Sequence, residues 1–323
     1  MPKKRILVTG AAGFIGSHTA ETLLRRGDTV VGLDNLNDYY DPERKRQNLE
    51  VVRAAGGREF EFVHGDIRDR ALVRKLLASG FDAVVHLAAM AGVRISVEDP
   101  WLYYDVNLTG TLNLLDAARE SGKPNFVFAS TSSAYGPTKV VPFIETDPCD
   151  RPLAPYPASK RGAELLGFSY HHLHGIDFTA LRFFTVYGPR GRPDMMAYKV
   201  FDTMRLGHEI PLYNDGQMYR DWTFVSDIAA GVIAAADRRL GYEVINIGRG
   251  EPVLLADFVR SLEALAGKSA RLVPAPMMDA DIAYTYADIT KARKLLDYEP
   301  RVSVDEGVRR FYDWYVESVG RFD

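Results

Sequence analysis

The sequence has little of three things: cysteine, net charge and uninterrupted hydrophobic stretches. Cys149 is the single cysteine among 323 residues, so the chain cannot form an internal disulfide and fits a reducing compartment. The formal net charge is only −3, so no overall field attracts nucleic acid or an anionic membrane. No apolar run is long enough to cross a bilayer, and because Met1 to Arg5 leads directly into a predicted strand, we expect no signal peptide. We therefore expect a cytoplasmic protein whose partners include neither nucleic acid nor membrane.

Clustered metal ligands are missing as well. His171, His172 and His174 are close in sequence, but they lie near the end of a predicted helix, where histidine interacts favourably with the helix dipole. No cysteine or set of acids completes a site, so we expect no metal. The three tryptophans are interpreted as packing residues: Trp101, Trp222 and Trp314.

What the sequence does contain is a regular alternation of strand and helix patterns. The predicted strands are 5–9, 29–33, 59–63, 83–87, 125–130 and 177–181, and the predicted helices are 14–26, 43–55, 69–78, 101–121 and 157–174. This alternation predicts an α/β fold of the Rossmann type, with a doubly wound parallel sheet covered by helices. After Arg182 the elements become shorter and are separated by prolines. We predict a dinucleotide-binding domain over 1–181 and a smaller α/β substrate-binding region over 182–323, interleaved with the first.

Two of the predicted helices are more apolar than burial of one face requires. Helices 101–121 and 157–174 carry apolar residues beyond a single core stripe. A helical interface between two copies of the chain, giving a homodimer, explains this pattern. Burial inside the monomer is the alternative.

A glycine-rich turn follows the first predicted strand and precedes a helix. It reads Gly10-Ala11-Ala12-Gly13-Phe14-Ile15-Gly16. Glycines at such a turn let backbone amides approach a pyrophosphate at the positive end of the helix. The next predicted strand ends in Asp34, whose carboxylate can bind both ribose hydroxyls of NAD but repels the extra phosphate of NADP. Together these features predict NAD binding; a plain tight turn in an unrelated α/β fold is the alternative.

A second motif reads Tyr156-Pro157-Ala158-Ser159-Lys160. Residues four apart share one helix face, so the phenol and the amine are neighbours. The ordinary tyrosine pKa of about 10 is too high for a base at neutral pH. We expect the ammonium and a positive nicotinamide ring to lower the pKa of Tyr156. Upstream, hydroxyl residues stand at the carboxyl end of a predicted strand, where ligands of parallel sheets bind: Ser130, Thr131, Ser132 and Ser133.

With these motifs the chain resembles the extended short-chain dehydrogenase/reductase family, in its sugar-nucleotide branch, over nearly its whole length. Other matching segments are Gly65-Asp66-Ile67-Arg68, His86-Leu87-Ala88-Ala89, Asn107 and Ala287-Asp288. The resemblance implies that Asp66 and Ile67 contact adenine, that Leu87 to Ala89 line the dinucleotide, and that Lys160 also binds the nicotinamide ribose. Asn35 and Lys45 are further candidates for the cofactor site. The implied catalytic residues are Thr131, Tyr156 and Lys160.

Positions 132 and 133 discriminate among the reactions that the resemblance implies. Dehydratases of this branch carry an Asp-Glu pair there, and decarboxylases usually carry Glu at the second position, whereas this chain has Ser132 and Ser133. Without those acids, the resemblance implies epimerisation through a 4-keto sugar, with hydride transfer to and from bound NAD.

Two segments narrow the implied substrate. Residues 35–41 and 182–195 are similar to the family of UDP-glucuronate 4-epimerases. Most relatives have Asn where Thr185 stands, and a hydroxyl there can bond a sugar carboxylate, with Ser132 and Ser133 as further donors. A strand-end hydroxyl bonded to backbone is the alternative for Thr185. The resemblance implies conversion of UDP-glucuronate to UDP-galacturonate; a UDP-xylose-forming decarboxylase, a UDP-glucose 4-epimerase and a non-catalytic NAD-binding sensor are the alternatives.

The diphosphate of a UDP-sugar needs cations, and arginine binds it through bidentate contacts. Arg220 matches a family position that holds the diphosphate, and Arg192 is expected near the uridine or the sugar. Arg94 is a candidate for the sugar carboxylate, and a solvated loop arginine is its alternative. Many relatives have a further arginine where this chain has Met278. The candidates to replace it are Arg192, Lys199 and Arg249.

Overall fold

A parallel sheet of seven strands forms the centre of the computed structural model, which describes residues 2–322. In chain order the strands are β1 (Arg5–Thr9), β2 (Thr29–Asp34), β3 (Phe60–His64), β4 (Ala83–His86), β5 (Asn125–Thr131), β6 (Phe178–Phe183) and β10 (Tyr242–Ile247). Their order across the sheet is β10-β6-β5-β4-β1-β2-β3. The chain changes direction across the sheet between β1 and β4, and a ligand crevice is expected at the carboxyl ends of those two strands.

Helices cover both faces of this sheet, and others pack within the region that the second half of the chain builds. They are α1 (Phe14–Arg26), α2 (Pro42–Gly56), α3 (Arg70–Leu77), α4 (Ile95–Glu98), α5 (Pro100–Tyr104), α6 (Gly110–Glu120), α7 (Pro155–His174), α8 (Met196–Leu206), α9 (Val225–Ala236), α10 (Leu255–Ala266), α11 (Thr290–Leu296) and α12 (Val304–Ser318). Side chains alternate between the two faces along each strand, so Ile6 and Val8 join one core while Leu7 joins the other. The first core packs against α1, α2 and α9, and the second against α3, α6 and α7.

The second half of the chain adds two small sheets beside the carboxyl edge of the large one. The strands β7 (Thr185–Tyr187), β9 (Tyr219–Phe224), β11 (Pro252–Leu254) and β13 (Tyr284–Thr285) form the first, and β8 (Glu209–Tyr213) pairs with β12 (Arg271–Ala275) in the second. The first core continues into this region, where the rings of Trp222 and Phe258 stack with centroids 3.7 Å apart. β10 returns to the large sheet from within 182–323. The division at residue 181 stays a prediction.

The predicted α/β fold of the Rossmann type is confirmed, and the six predicted strands all form within three residues of their expected ends. The continuous helix expected over 101–121 is wrong, because a π-helical turn at Asp105–Thr109 separates α5 from α6. That wider turn directs Asn107 inward, where its side-chain amide bonds both the backbone of Met90 and the hydroxyl of Ser159. The interruption therefore ties this helix to the start of α7.

Burial inside the monomer does not account for the apolar surfaces of α5, α6 and α7. Large side chains on these helices stay exposed: Trp101, Tyr104, Leu112, Leu165, Phe168 and Leu173. The interpretation of Trp101 as a packing residue is wrong for the single chain, because 84% of its surface is exposed. Trp222 is buried, and Trp314 stacks on Phe311, as expected of packing residues.

Candidate active site

A cavity of about 400 Å³ opens at the carboxyl edge of the large sheet. It is lined by every residue that the sequence analysis assigned to the cofactor or to catalysis: Gly10, Gly13, Phe14, Ile15, Gly16, Asp34, Asn35, Lys45, Asp66, Ile67, Leu87, Ala88, Ala89, Thr131, Tyr156 and Lys160. Four of the substrate candidates line it too: Ser132, Ser133, Thr185 and Arg192. Arg94 and Arg220 lie outside this lining. The fold thus brings most of the predicted site into one space.

The turn between β1 and α1 requires glycine at positions 10 and 16. Gly10 has a φ of +72°, and a Cβ on Gly16 would lie 1.9 Å from the carbonyl oxygen of Gly10. Helix α1 then begins after Gly13, and among the described residues no side chain caps it and no acid occupies its first turn. Its first amides therefore remain available to an anion, which fits the pyrophosphate of a dinucleotide.

The carboxylate of Asp34 lies at the end of β2, beside the glycine turn. It accepts hydrogen bonds from the amides of Ala12, at 3.0 Å, and Leu36, at 2.8 Å. Burial raises the pKa of Asp34, while these amides and the charge of Lys45 oppose that rise. The remaining lone pairs of this carboxylate suit two ribose hydroxyls.

Asn35, in the loop that follows β2, and Lys45, on α2, both line the cavity. The Asn35 amide donates to Asp66 Oδ2 at 2.9 Å, and the Lys45 ammonium donates to the Asn37 carbonyl at 2.7 Å. Hydrogen bonds from Arg68, above all, lower the pKa of Asp66 to about 2. These contacts hold the loop after β2 in place, and they thereby set the shape of the cofactor end of the cavity.

A buried imidazole fixes the other wall of the cofactor end. His86 Nδ1 lies 2.7 Å from Thr9 Oγ1, and its Nε2 lies 2.9 Å from Thr111 Oγ1. Burial lowers the pKa of His86 well below its usual value, so the ring is neutral at physiological pH. Thr9 in turn accepts a hydrogen bond from the amide of Ala88 at 3.2 Å. This series of hydrogen bonds, from Thr111 through His86 and Thr9 to Ala88, thereby fixes the backbone after β4.

Tyr156 occupies the first turn of α7, where its backbone amide donates to Ser96 Oγ at 3.1 Å. Burial raises the pKa of its phenol, although a hydrogen bond with Thr131 and the charge of Arg192 both act in the opposite direction. The residues of the chain by themselves therefore do not lower this pKa, and the expected effect of the nicotinamide ring stays a prediction. The physical reason is that desolvation of the phenolate outweighs the two favourable contacts.

Lys160 does not provide the full positive charge that the sequence analysis assumed. Its ammonium is fully buried and lies 4.7 Å from the centre of the Phe128 ring. Desolvation lowers the pKa of Lys160 to about 7, and the charge of Glu164 opposes that fall. The side chain is consequently close to half protonated at neutral pH.

A buried ion pair, which the sequence analysis missed, continues the same face of α7. Glu164 lies one turn beyond Lys160 and accepts two hydrogen bonds from Arg182, at 2.9 and 2.8 Å, and one from Ser130 at 2.6 Å. The i, i+4, i+8 spacing from Tyr156 to Glu164 was visible in the sequence. Its partner on β6 was not, because the pairing depends on the tertiary fold.

The opposite end of the cavity is lined by neutral hydroxyls and one arginine. Ser132 and Ser133 form a short 3₁₀ turn after β5, in which the Ser133 amide donates to Thr131 Oγ1 at 3.1 Å. Thr185 begins β7. The guanidinium of Arg192 binds both carboxylate oxygens of Asp194, at 2.9 Å each. Asp194, which is not itself among the lining residues, thus affects the site through Arg192, and the sequence analysis assigned it no role.

The remaining predicted cations are placed away from the cavity lining. Arg94 pairs with Asp281 at 2.7 Å and lies 3.8 Å from the centre of the Tyr213 ring. Arg220 donates to the Tyr219 carbonyl at 2.8 Å, and burial lowers its pKa to about 10. The charge of Asp281 therefore acts on both of these arginines.

Of the three residues proposed to replace an arginine at Met278, one lines the cavity, namely Arg192. Arg249 is engaged elsewhere, with Glu251 at 2.8 Å and the Val302 carbonyl at 2.6 Å. Lys199 is exposed on α8, and Met278 is itself 40% exposed.

Residues 2–322 contain no group of three or more histidines, cysteines or acids arranged to hold a metal ion. His171 instead uses Nδ1 in a 2.8 Å contact with the Ile176 carbonyl at the end of α7. Burial raises the pKa of the Cys149 thiol to about 12, so this side chain is not a nucleophile at neutral pH. Over the same residues, no helix combines the length and hydropathy needed to span a membrane.

Comparison with protein families and solved structures places the chain among nucleotide-sugar enzymes. The model of the NAD dependent epimerase/dehydratase family matches residues 6–248. A UDP-glucuronate 4-epimerase of Thermodesulfobacterium geofontis is 44% identical over 315 residues, which cover 97% of this chain and 96% of that protein.

Solved structures give the same result. The UDP-glucuronic acid 4-epimerase of Bacillus cereus, crystallised with UDP-glucuronic acid and NAD, superposes with a TM-score of 0.90 at 36% identity, covering 97% of this chain and 99% of that one. The UDP-glucose 4-epimerase of Thermotoga maritima superposes with a TM-score of 0.88 at 31% identity, covering 98% and 99%. Overall shape therefore does not separate these two activities, and the residues of the substrate end must do so.

Proposed function

The chain belongs to the NAD dependent epimerase/dehydratase family, and on that premise we propose that it is an isomerase that converts UDP-glucuronate to UDP-galacturonate. The reaction is a 4-epimerisation through a 4-keto intermediate, and NAD is the cofactor. Relatives that carry this activity in their names span nearly the whole chain.

The chemistry of the cavity's substrate end carries the proposal. There the lining offers the hydroxyls of Ser132, Ser133 and Thr185 and the guanidinium of Arg192. Among the described lining residues, the carboxylates are Asp34 and Asp66. Asp34 lies on β2, three strands from the end of β5, a distance of about 14 Å at the usual strand spacing.

This arrangement disfavours the alternative reactions. A dehydratase needs an acid beside the sugar to expel a hydroxyl, and neither position 132 nor position 133 has one. The same absence of a carboxylate at 133 argues against a decarboxylase. Thr185, where most relatives have Asn, disfavours a neutral UDP-glucose substrate, and a non-catalytic sensor would not need Thr131, Tyr156 and Lys160 together.

We propose that the glycine turn and the start of α1 hold the pyrophosphate of NAD, and that Asp34 binds its adenosine ribose. Asp66 and Ile67 line the adenine side, and Leu87, Ala88 and Ala89 line the dinucleotide. When bound, NAD supplies reversible acceptance of a hydride from carbon 4 of the sugar and a positively charged ring.

The chain's own residues handle the proton. Tyr156 takes the proton of the sugar's 4-hydroxyl and later returns it, and Thr131 hydrogen-bonds both groups and relays it. Arg192 stabilises the phenolate, whose formation burial disfavours. We expect the protonated fraction of Lys160 to act in the same direction. Because the pKa of Lys160 is near 7, its protonation state changes within the working pH range.

Proton NMR of the purified protein with UDP-glucuronate, without added NAD, tests the proposal. We expect UDP-galacturonate to appear, which would also show that NAD is retained. Release of carbon dioxide with a pentose product would establish the decarboxylase instead. No reaction even after addition of NAD, and turnover of UDP-glucose in its place, would establish the neutral-sugar epimerase.

We also propose that two copies of the chain associate through α5, α6 and α7 into a homodimer. The exposed apolar side chains on these helices form the surface to be covered. We expect light scattering to give twice the chain mass, and the Leu165→Lys/Phe168→Lys variant to be monomeric. Leu206→Lys, which alters an exposed leucine on α8, is the matched control and should remain dimeric. A monomeric wild type would contradict the proposal.

The location of the protein and its division into regions are further proposals. A cytoplasmic location fits the single, buried Cys149 thiol. The proposed division is an NAD-binding domain over 1–181 and a UDP-sugar-binding region over 182–323.

A further inference from the structure

Arg192 is the cation that the cavity offers at its substrate end. The cationic side chains among the described lining residues are Lys45, Lys160 and Arg192. Lys45 acts on Asp34 at the cofactor end, and Lys160 is fully buried against Phe128. The charge of Arg192, by contrast, acts on the phenol of Tyr156. An anionic group on the sugar would therefore meet Arg192.

This guanidinium already has a carboxylate partner within the chain. Nε of Arg192 donates to Asp194 Oδ1 and Nη2 donates to Oδ2, both at 2.9 Å, which is a bidentate pair. The phenol of Tyr39 donates to the same Oδ2 at 3.3 Å. Both charged side chains keep some contact with solvent, with 22% and 27% of their surfaces exposed. The positive charge offered to a ligand is thus largely balanced by Asp194.

A second carboxylate can reach Arg192 in two ways. It can displace Asp194 from the Nε–Nη2 edge, or it can bind the free Nη1 side while Asp194 remains in place. In the first case the internal pair is lost, and in the second two like charges share one guanidinium. In both cases the charge of Asp194 opposes binding of the substrate carboxylate, and it does not oppose a neutral sugar.

We propose that Asp194 is a specificity-determining residue that competes with the sugar carboxylate for Arg192 and so lowers the preference for UDP-uronic acids over neutral UDP-hexoses. The inference rests on the proposed function, because it takes the ligand to be a UDP-uronic acid.

The variant Asp194→Asn tests this proposal, since it removes the charge but keeps the size and an acceptor for Nε. Binding of UDP-glucuronate and of UDP-glucose to the NAD-loaded protein is measured by calorimetry. We expect the Kd for UDP-glucuronate to fall about three- to ten-fold, the range for a partly buried charge pair, with little change for UDP-glucose. An unchanged or lower preference for UDP-glucuronate would overturn the proposal and make Asp194 a residue that positions Arg192.

The control is Asp313→Asn, which makes the same chemical change at an exposed acid on α12, outside the cavity lining. It should leave both affinities unchanged. If Asp194→Asn melts at a lower temperature than the wild type, Asp194→Ser provides the same loss of charge with a hydroxyl acceptor. In either variant, the Kd for UDP-glucose divided by the Kd for UDP-glucuronate shows whether Asp194 lowers the preference for the uronic acid.

The two proposals fail in different ways. Wild-type turnover of UDP-glucuronate to UDP-galacturonate together with an unchanged Kd ratio in the Asp194 variant would overturn this inference alone. If the Asp194 variant prefers UDP-glucuronate over UDP-glucose more strongly than the wild type does, but the wild type shows no turnover, the proposed epimerase is overturned and the role of Asp194 is supported.

Discussion

The two ends of the cavity are constructed differently. At the cofactor end, the backbone of one turn and the ends of neighbouring strands set the geometry, with Gly16 packed against Gly10 and Asp34 bonded to nearby amides. At the substrate end, side chains from β5, β7 and the 190–195 loop converge, and Arg192 is paired with Asp194. The glycine turn and Asp34 of the cofactor end are close together in the sequence, whereas the substrate end is assembled by tertiary structure.

Tyr156 lies between the two ends, and its loss should affect turnover without disturbing either. We expect Tyr156→Phe to lower kcat by about 10²- to 10⁴-fold, since the variant lacks the proton-transferring hydroxyl. NAD affinity should stay within about two-fold, because the ring remains beside Tyr103. Steady-state turnover and NAD titration give the two values. A comparable loss of NAD affinity would show that the phenol belongs to the cofactor end.

Lys160 also lies between the two ends of the cavity, and its burial disfavours the charged form of its side chain. Folding depresses its pKa from 10.5 to about 7, so the unfolded chain binds more protons between those two pH values. The destabilisation is complete below pH 7 and disappears as the pH rises towards 10.5. We expect Lys160→Met to be more stable than the wild type by about 3 to 5 kcal/mol at pH 6, with the difference vanishing above pH 10.

Urea unfolding of both proteins from pH 6 to 10, with and without added NAD, measures this difference. Lys199→Met is the control, because that lysine is exposed on α8 and should show no such pH dependence. A stability difference that does not change with pH would mean that Lys160 contributes through packing rather than through its charge.

Adding a single methyl group at position 16 should disrupt the cofactor end of the cavity. A Cβ on Gly16 would approach the Gly10 carbonyl oxygen to 1.9 Å, and backbone atoms cannot yield cheaply. We expect Gly16→Ala to destabilise the protein by about 1 to 3 kcal/mol and to weaken NAD binding. Gly162→Ala is the matched control, since the nearest atom there is a flexible Leu108 methyl at 3.2 Å. Equal NAD affinity in the two variants would contradict the tight-turn account.

The same contrast explains what could be predicted from the sequence. The glycine turn and Asp34 could be placed because strand, turn, helix and acid follow one another along the chain. Asp194 could not be assigned a role, because its closeness to Arg192 in the sequence does not show that the two side chains form a bidentate ion pair. The rise that burial causes in the pKa of Tyr156 could not be predicted, because sequence spacing shows a neighbouring lysine but not the desolvation of the phenol.

The smallest expected effect concerns a hydroxyl at the substrate end. Thr185 lines the cavity, and we propose that it helps to hold the sugar carboxylate. The 4-keto form of a uronic acid is a β-keto acid. It loses carbon dioxide when the carbon–carbon bond to the carboxylate is parallel to the π orbital of the ketone. A fixed carboxylate that is kept out of that alignment would suppress the loss.

We expect Thr185→Val to raise KM for UDP-glucuronate by about five-fold, the effect of one lost hydrogen bond, and to release measurable carbon dioxide with a pentose product. Thr185→Ser keeps the hydroxyl and should retain both the affinity and the product. NMR of the product mixture and headspace carbon dioxide measure the partition. If Thr185→Val changes neither the KM nor the products, the hydroxyl bonds backbone instead, and retention of the carboxylate then depends on Arg192 and the two serines.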